Sequence, residues 1–172
     1  MIDEDCLSAQ QQLNDDETEA TSPQKIIEIA LRYLSRREYS EIELKKKILL
    51  KNQFSTEDLA EAFDILKENN YLSEERYIRQ KTNLLKLKGF SSSYIAKSLN
   101  RENIPVDLEI INEFNFVTNE TNLLKLLNKK LKGVPFNLLE PNKKKSIIRY
   151  LMTKGYSYDE IKTTLKYSTQ DV

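Results

Sequence analysis

The sequence contains no histidine and a single cysteine, Cys6. Without histidine the chain lacks the commonest general base, the Ser-His and Cys-His nucleophile pairs, and the commonest zinc ligand. One cysteine provides neither a disulfide framework nor a cysteine cluster for a structural metal. These absences predict a protein that is not an enzyme and has no catalytic, cofactor-binding or metal-binding residues.

Glycine and proline are also scarce, with three and four residues among 172. Such a composition favours helices, and three scattered glycines cannot form a phosphate-binding loop. No apolar run approaches the ~18 residues needed to cross a bilayer, which predicts no membrane association. Residues 1–22 have no basic start and no apolar core, so we expect no signal peptide and a cytoplasmic location.

Charge is balanced overall but is distributed unevenly along the chain. Residues 1–23 contain seven Asp and Glu and no Lys or Arg, whereas residues 117–172 contain eleven Lys and Arg against five Asp and Glu, a net charge of +6. The C-terminal third is therefore the expected place of contact with an anionic partner. A solvated, lysine-rich helix surface is the alternative interpretation of the same charges.

Apolar residues recur at helical spacing from Pro23 onward, and cap residues separate nine predicted helices. We expect an acidic, disordered tail over 1–22, followed by three-helix repeats over 23–70, 71–116 and 117–172. The junctions before the third helix of each repeat share one pattern of polar, polar, large apolar and cap residues. Units of about 45 residues of this kind indicate a repeat array rather than one globule.

The sequence also predicts several local features. The first helix is expected over Pro23 to Arg37, and Ser40 with Glu43 is expected to form a capping box. Ile104-Pro105 is expected to begin the sixth helix. The seventh is expected to place Leu124 on its apolar face together with Leu127 and Leu131.

Four sequence blocks, in order, resemble the signature of the RecX family. The first runs from Ala30 to Leu44, and the second is Tyr71-Leu72-Ser73-Glu74-Glu75-Arg76-Tyr77. The third is Lys88-Gly89 followed by Ile95 and Leu99, and the fourth is Leu151-Met152-Thr153-Lys154-Gly155-Tyr156 with Ile161. Together the blocks cover roughly residues 24–167; residues 1–22 have no counterpart in the family, and Gly133 to Glu140 makes a long connector.

The resemblance implies an all-α, elongated and curved array of three tandem three-helix repeats. It also implies a modulator that binds in the groove of the filament formed by the RecA recombinase on single-stranded DNA. Such a modulator, expected to be a monomer, would lower the ATPase, filament extension and strand exchange of RecA in recombination and DNA repair. Weak binding to single-stranded DNA would accompany this role, and binding to double-stranded DNA is left open.

Basic side chains on helix faces are the natural contacts to phosphates and acidic protein surfaces. Lys143, Lys144 and Lys145 begin the eighth helix, where cations oppose the helix dipole, so helix stability does not explain them. For Arg36 and Arg37, the dipole at the end of the first helix is an equal explanation. Arg76 has a local ion pair as its alternative. The complete set of predicted contacts is Arg36, Arg37, Lys47, Lys51, Arg76, Lys125, Lys129, Lys130, Lys132, Lys143, Lys144, Lys145 and Arg149.

Three other functions are compatible with parts of the sequence. A metal-dependent nuclease would have to use carboxylates such as Glu41, Glu43, Asp58 and Glu61, but these occupy first turns of helices, where acids are expected for capping. A helix-turn-helix DNA-binding protein would suit three-helix units, yet Lys dominates over Arg and no base-reading cluster is evident. A helical-repeat scaffold for another protein is the third alternative.

Overall fold

A computed structural model describes residues 22–51, 53–114 and 118–167. Over these residues every regular element is helical and none is a strand, which confirms the predicted all-α fold. The predicted tail, 1–22, lies outside the described residues except for Ser22. The α-helices are α1 (Ser22–Leu34), α2 (Glu41–Leu49), α3 (Thr56–Glu68), α4 (Glu74–Leu87), α5 (Ser92–Asn100), α6 (Leu108–Glu113), α7 (Asn119–Leu131), α8 (Pro141–Thr153) and α9 (Tyr158–Tyr167).

The chain forms two compact units, Met1–Ser73 and Glu74–Val172. In the first, α1, α2 and α3 enclose a core that includes Ile26, Leu44 and Phe63. The second contains two cores, one among α4 to α6 around Ile95 and Leu99, the other among α7 to α9. Full burial of such side chains is worth roughly 1.5–3 kcal/mol each, so each group of three helices has its own source of stability. The boundaries of the predicted repeats stay a prediction.

Hydroxyl side chains set the beginnings of five helices. Each accepts a hydrogen bond from the backbone N–H three residues later, as the sequence predicts for an N-cap. These residues are Ser40, Ser55, Ser91, Thr118 and Ser157. At Ser157 the capping box is complete, because the carboxylate of Glu160 accepts from the Ser157 backbone N–H at 2.7 Å.

Two predicted helix boundaries are wrong. The first helix ends at Leu34, not at Arg37. The sixth begins at Leu108, not at Ile104-Pro105, and Ile104 instead buries its side chain ahead of the helix. Proline disfavours helical backbone in the residue before it, so Ile104 enters the core in a non-helical segment.

Two predicted side-chain roles are also wrong. Leu124 is 41% exposed, whereas Leu123 is buried at 2%, so Leu123 and not Leu124 joins Leu127 and Leu131 on the buried face of α7. Glu43 does not complete a capping box with Ser40, because its carboxylate pairs with Arg37.

Candidate functional site

Arg37 stabilises the turn between α1 and α2 through contacts with Glu43 and Tyr39. Its guanidinium donates hydrogen bonds to both carboxylate oxygens of Glu43, at 2.5 and 3.2 Å, and lies 3.7 Å from the centre of the Tyr39 ring. The hydrogen bond that Arg37 donates to Glu43 raises the pKa of Arg37 above its ordinary value. This predicted contact residue therefore has a structural role in the first unit.

The other predicted contacts of the first unit are less constrained. Lys47 is half-buried, and its Nζ lies 5.9 Å from the ring centres of Tyr33 and Tyr39. Arg36 and Lys51 are exposed, but both lie in turns beyond the ends of α1 and α2. The structure does not gather these cations on one helix face.

Arg76 lies half-buried in the first turn of α4. Its neighbour Tyr77 is a core residue, 7% exposed, and donates a hydrogen bond from its hydroxyl to Glu102 at 2.8 Å. Lys81 pairs with the same carboxylate. Of the two core side chains in the second signature block, Leu72 packs in the first unit and Tyr77 ties α4 to the end of α5.

The largest group of exposed cations belongs to α7 and α8 in the second unit. On α7, Lys125 and Lys129 are four residues apart and share one side of the helix, and Lys132 follows directly after the helix with left-handed backbone. None of the group forms an ion pair in the described part of the chain. We call this group the α7–α8 cationic surface; its members are Lys125, Lys129, Lys132, Lys143, Lys145 and Arg149.

Two predicted contacts next to this surface have other partners. Lys144 donates from Nζ to the backbone oxygen of Asn137 at 2.8 Å, which ties the first turn of α8 to the preceding connector. Lys130 places its Nζ 4.1 Å from the centre of the Tyr150 ring. The first turn of α8 contains no acidic residue, so its lysines remain unfavourable for the helix dipole.

A tight backbone junction joins α5 to the end of α8. Ser91 donates from its backbone N–H to the oxygen of Lys154 at 3.0 Å and from its hydroxyl to the oxygen of Gly155 at 2.8 Å. Gly155 has a φ of +91°, and a Cβ there would lie 2.5 Å from Ser91 Oγ and from Tyr94 Cβ. The third and fourth signature blocks therefore meet at this junction, where only glycine fits.

Lysines and aromatic rings interleave on the surface of this junction. Phe90 and Tyr94 stack with ring centres 4.2 Å apart and planes 21° apart. Lys154 Nζ lies 3.9 Å from the centre of the Phe90 ring and 5.9 Å from that of Tyr150. The sequence alone does not point to Lys154 or the rings, because residues 90 and 154 become neighbours only through packing. The Lys-Gly pairs of the two signature blocks were the available signal.

A buried polar contact within the second unit joins α4, α5 and α7. Lys86 is 6% exposed, and its Nζ donates to Ser92 Oγ at 2.8 Å and to Asn119 Oδ1 at 2.6 Å. Burial lowers the pKa of Lys86, against the opposing effect of Glu160. Asn122 adds a hydrogen bond to the Lys86 backbone oxygen at 3.3 Å. These neutral acceptors satisfy a buried ammonium and fix α7 against the preceding helices.

An open groove of about 950 Å³ lies between α7 and α9. Its lining includes the carboxylates of Glu120, Asp159 and Glu160 and the side chains of Leu123 and Leu124, with no lysine or arginine among the lining residues. A groove of this charge disfavours phosphate. Anion contacts on the second unit are therefore expected on the α7–α8 cationic surface and at the lysine–aromatic junction instead.

Within residues 22–51, 53–114 and 118–167, no three His, Cys, Asp or Glu side chains are grouped so as to hold a metal ion. None of the helices described has the length and apolar character required to span a membrane.

Comparison with known proteins identifies the family. Residues 119–165 match the family model described as the third three-helix domain of RecX. The regulatory protein RecX of Haemophilus influenzae is 32% identical over 130 residues, which cover 74% of this chain and 84% of that protein. The chain belongs to the RecX family. RecX of Vibrio parahaemolyticus is 27% identical over 148 residues, covering 84% of this chain and 92% of the relative.

Solved structures of RecX share the fold. The crystal structure of RecX from Lactobacillus salivarius matches with a TM-score of 0.67 at 20% identity, over 85% of this chain and 96% of that one. A second crystal structure, of regulatory protein RecX, matches with a TM-score of 0.66 at 17% identity, over 95% of this chain and 79% of that one. The relatives are named regulatory proteins, and none of the names refers to a catalytic activity.

Proposed function

We propose that this protein binds the filament that the RecA recombinase forms on single-stranded DNA and inhibits its ATPase, its extension and strand exchange. Membership of the RecX family is the observation that supports this function most strongly. In this proposal the protein acts without chemistry of its own, as a cytoplasmic monomer, and its effect comes entirely from occupying the filament.

The positive charge and the exposure of the α7–α8 cationic surface support the same proposal. A nucleoprotein filament presents phosphates and acidic side chains, and six exposed cations that form no ion pair among the described residues match such a target. Three of these cations, Lys143, Lys145 and Arg149, occupy α8, whose first turn contains no acid to offset them. We therefore propose that α8 contacts the filament directly.

The decisive experiment titrates the protein into the single-strand-dependent ATP hydrolysis of the cognate RecA. Inhibition at substoichiometric amounts is the expected result and would indicate that filament ends are capped or filaments disassembled. No inhibition at saturating amounts and low salt would contradict the function. DNA binding without any effect on RecA would favour the helix-turn-helix alternative, and binding to neither would favour a scaffold.

The triple variant Lys143→Glu, Lys145→Glu, Arg149→Glu tests the contact surface. We expect about tenfold or greater weakening of inhibition at about 0.1 M salt, because three cation–anion contacts become repulsive. Lys144 is left unchanged because it holds the connector through Asn137.

A control with the same change of charge separates a local contact from a general electrostatic effect. Lys25, Lys46 and Lys162 are exposed on α1, α2 and α9, and their joint replacement by Glu is expected to change inhibition by about twofold or less. Equal losses in the two variants, with intact helical circular dichroism, would show that α8 is not the contact.

A further inference from the structure

The junction of α5 with α8 presents aromatic rings and ammonium groups in alternation. Lys130 lies over Tyr150 and Lys154 lies over Phe90, at 4.1 and 3.9 Å from the ring centres, and Phe90 stacks on Tyr94. All three rings are partly exposed. Phe90 and Tyr150 pack against the two cores of the second unit and still leave part of each side chain exposed.

The ammonium groups here lack carboxylate partners in the described part of the chain. Lys154 donates to the backbone oxygen of Lys88 at 3.0 Å, and Lys130 contacts a ring face. Burial and, second, the positive charge of Lys88 lower the pKa of Lys154. A ring face holds an ammonium group in place without neutralising its charge. The cations at the junction therefore repel one another, and a bound anion would reduce this repulsion.

Further cations continue from the junction along the outer side of α5. Tyr94, Lys97 and Arg101 follow at intervals of three and four residues, so they lie on one side of the helix and its last turn. Lys97 and Arg101 are exposed. We call the combined feature the lysine–aromatic strip; it consists of Phe90, Tyr94, Lys97, Arg101, Lys130, Tyr150 and Lys154.

The backbone beneath the strip is rigidly joined. Ser91 bonds to the oxygens of Lys154 and Gly155, and the absence of a side chain at Gly155 allows Tyr94 to pack directly against the end of α8. The rings and ammonium groups are thus held in position before any ligand arrives, which lowers the entropic cost of binding.

We propose that the lysine–aromatic strip binds single-stranded nucleic acid, with the lysines on phosphates and a base extending the Phe90–Tyr94 stack. This combination of a cationic track with stacking rings is how proteins hold single strands without reading their sequence. An acidic peptide would satisfy the lysines but would make no use of the interleaved rings. The proposal rests on the proposed function in one respect, since it assigns residues that would meet the DNA strand of the filament.

Binding to single-stranded DNA is measured directly, without RecA, by the fluorescence anisotropy of a labelled oligothymidylate of about 20 nucleotides at about 0.05 M salt. The probe with bases is compared with an abasic probe of equal length, which keeps the phosphates. We expect the wild-type protein to bind the abasic probe about fivefold more weakly or worse, because stacking is lost.

Two pairs of variants assign the effect to the strip. Lys97→Ala with Lys130→Ala is expected to weaken binding of both probes about fivefold, whereas the exposed pair Lys25→Ala with Lys162→Ala should leave it unchanged within about twofold. Tyr94→Leu should abolish the difference between the two probes, and Tyr94→Phe, which keeps the ring, should preserve it.

The proposal is overturned if wild-type protein binds both probes equally, or if Lys97→Ala with Lys130→Ala behaves like its control. It is also overturned if an acidic peptide of about 20 residues displaces the oligonucleotide at equal concentration. Lys97 and Lys130 are exposed, so their variants test the strip even if Tyr94→Leu fails to fold. Failure of the proposed function would appear separately, as absence of RecA inhibition by a wild-type protein that still binds strands.

Discussion

Tyr156, in the fourth signature block, stabilises the core with its ring but lowers stability with its buried hydroxyl. It is 2% exposed, and its hydroxyl has no hydrogen-bond partner in the described structure. Burial, followed by the charge of Glu160, raises the pKa of Tyr156 to about 12. The ring therefore contributes packing, whereas the hydroxyl contributes an unsatisfied polar group.

We predict that Tyr156→Phe stabilises the protein by up to about 1 kcal/mol at pH 7, because the buried hydroxyl is removed. The pH dependence has a definite sign. Because burial raises the pKa in the folded state, only the unfolded state ionises between pH 10 and about 12, so the free energy of unfolding falls as pH rises through that window. Urea unfolding at pH 7 and pH 11 should show a smaller alkaline loss in Tyr156→Phe than in wild type.

The matched control is Tyr158→Phe, since Tyr158 is 55% exposed. Its stability should follow that of wild type at both pH values within about 0.5 kcal/mol. A loss of more than 1 kcal/mol in Tyr156→Phe would mean that the Tyr156 hydroxyl has a favourable partner after all.

At the scale of the helices, glycines determine how closely neighbouring elements approach. Gly155 and Gly133 both follow helix ends with positive φ, +91° and +80°. A Cβ at Gly155 would collide with Ser91 and Tyr94, whereas at Gly133 it would meet nothing within 4 Å. The two positions share a backbone requirement and differ in packing.

Gly133→Ala is therefore predicted to cost only about 1–2 kcal/mol, for the left-handed backbone. Gly155→Ala should cost about 3 kcal/mol or more, because overpacking at the α5–α8 junction adds to the same backbone strain. Urea unfolding of the two variants measures the difference. Equal losses would mean that the junction relaxes at no cost and that Gly155 matters for its φ alone.

Helix beginnings were predictable because capping is local. Ser55 and Thr118 bond to backbone groups three residues away, and a short stretch of sequence contains both partners. The start of α6 was predicted wrongly, because Pro105 suggested a helix start while burial of Ile104 and Val106 decided the actual path. Tertiary packing overrode the local signal there.

At the scale of the molecule, the uneven charge was visible in sequence, but its spatial arrangement was not. The lysines of α7 and α8 could be predicted as an anion contact from composition and the helix dipole alone. The lysine–aromatic strip could not, because Phe90, Lys130 and Lys154 belong to three segments far apart in the chain. Pairings of this kind depend on how helices pack, which no local pattern encodes.

The acidic residues 1–21 lie outside the described structure. They contain seven Asp and Glu and no Lys or Arg, so their removal changes the net charge from 0 to +7. The segment is either a passenger or a competitor for the cationic surfaces, and we favour the passenger. Free carboxylates act weakly beyond the Debye length of about 8 Å at 0.15 M salt.

A chain beginning at Ser22 should therefore bind the oligothymidylate within about twofold of the full chain at about 0.15 M salt. At about 0.01 M salt it should bind several-fold more tightly. Screening is then weak, with a Debye length of roughly 30 Å, so the net charge of the whole chain affects binding. Anisotropy titrations at both salt concentrations measure this. A gain of about tenfold that persists at 0.15 M would instead require carboxylates in direct contact with the lysines, and residues 1–21 would then be a competitor for the strand.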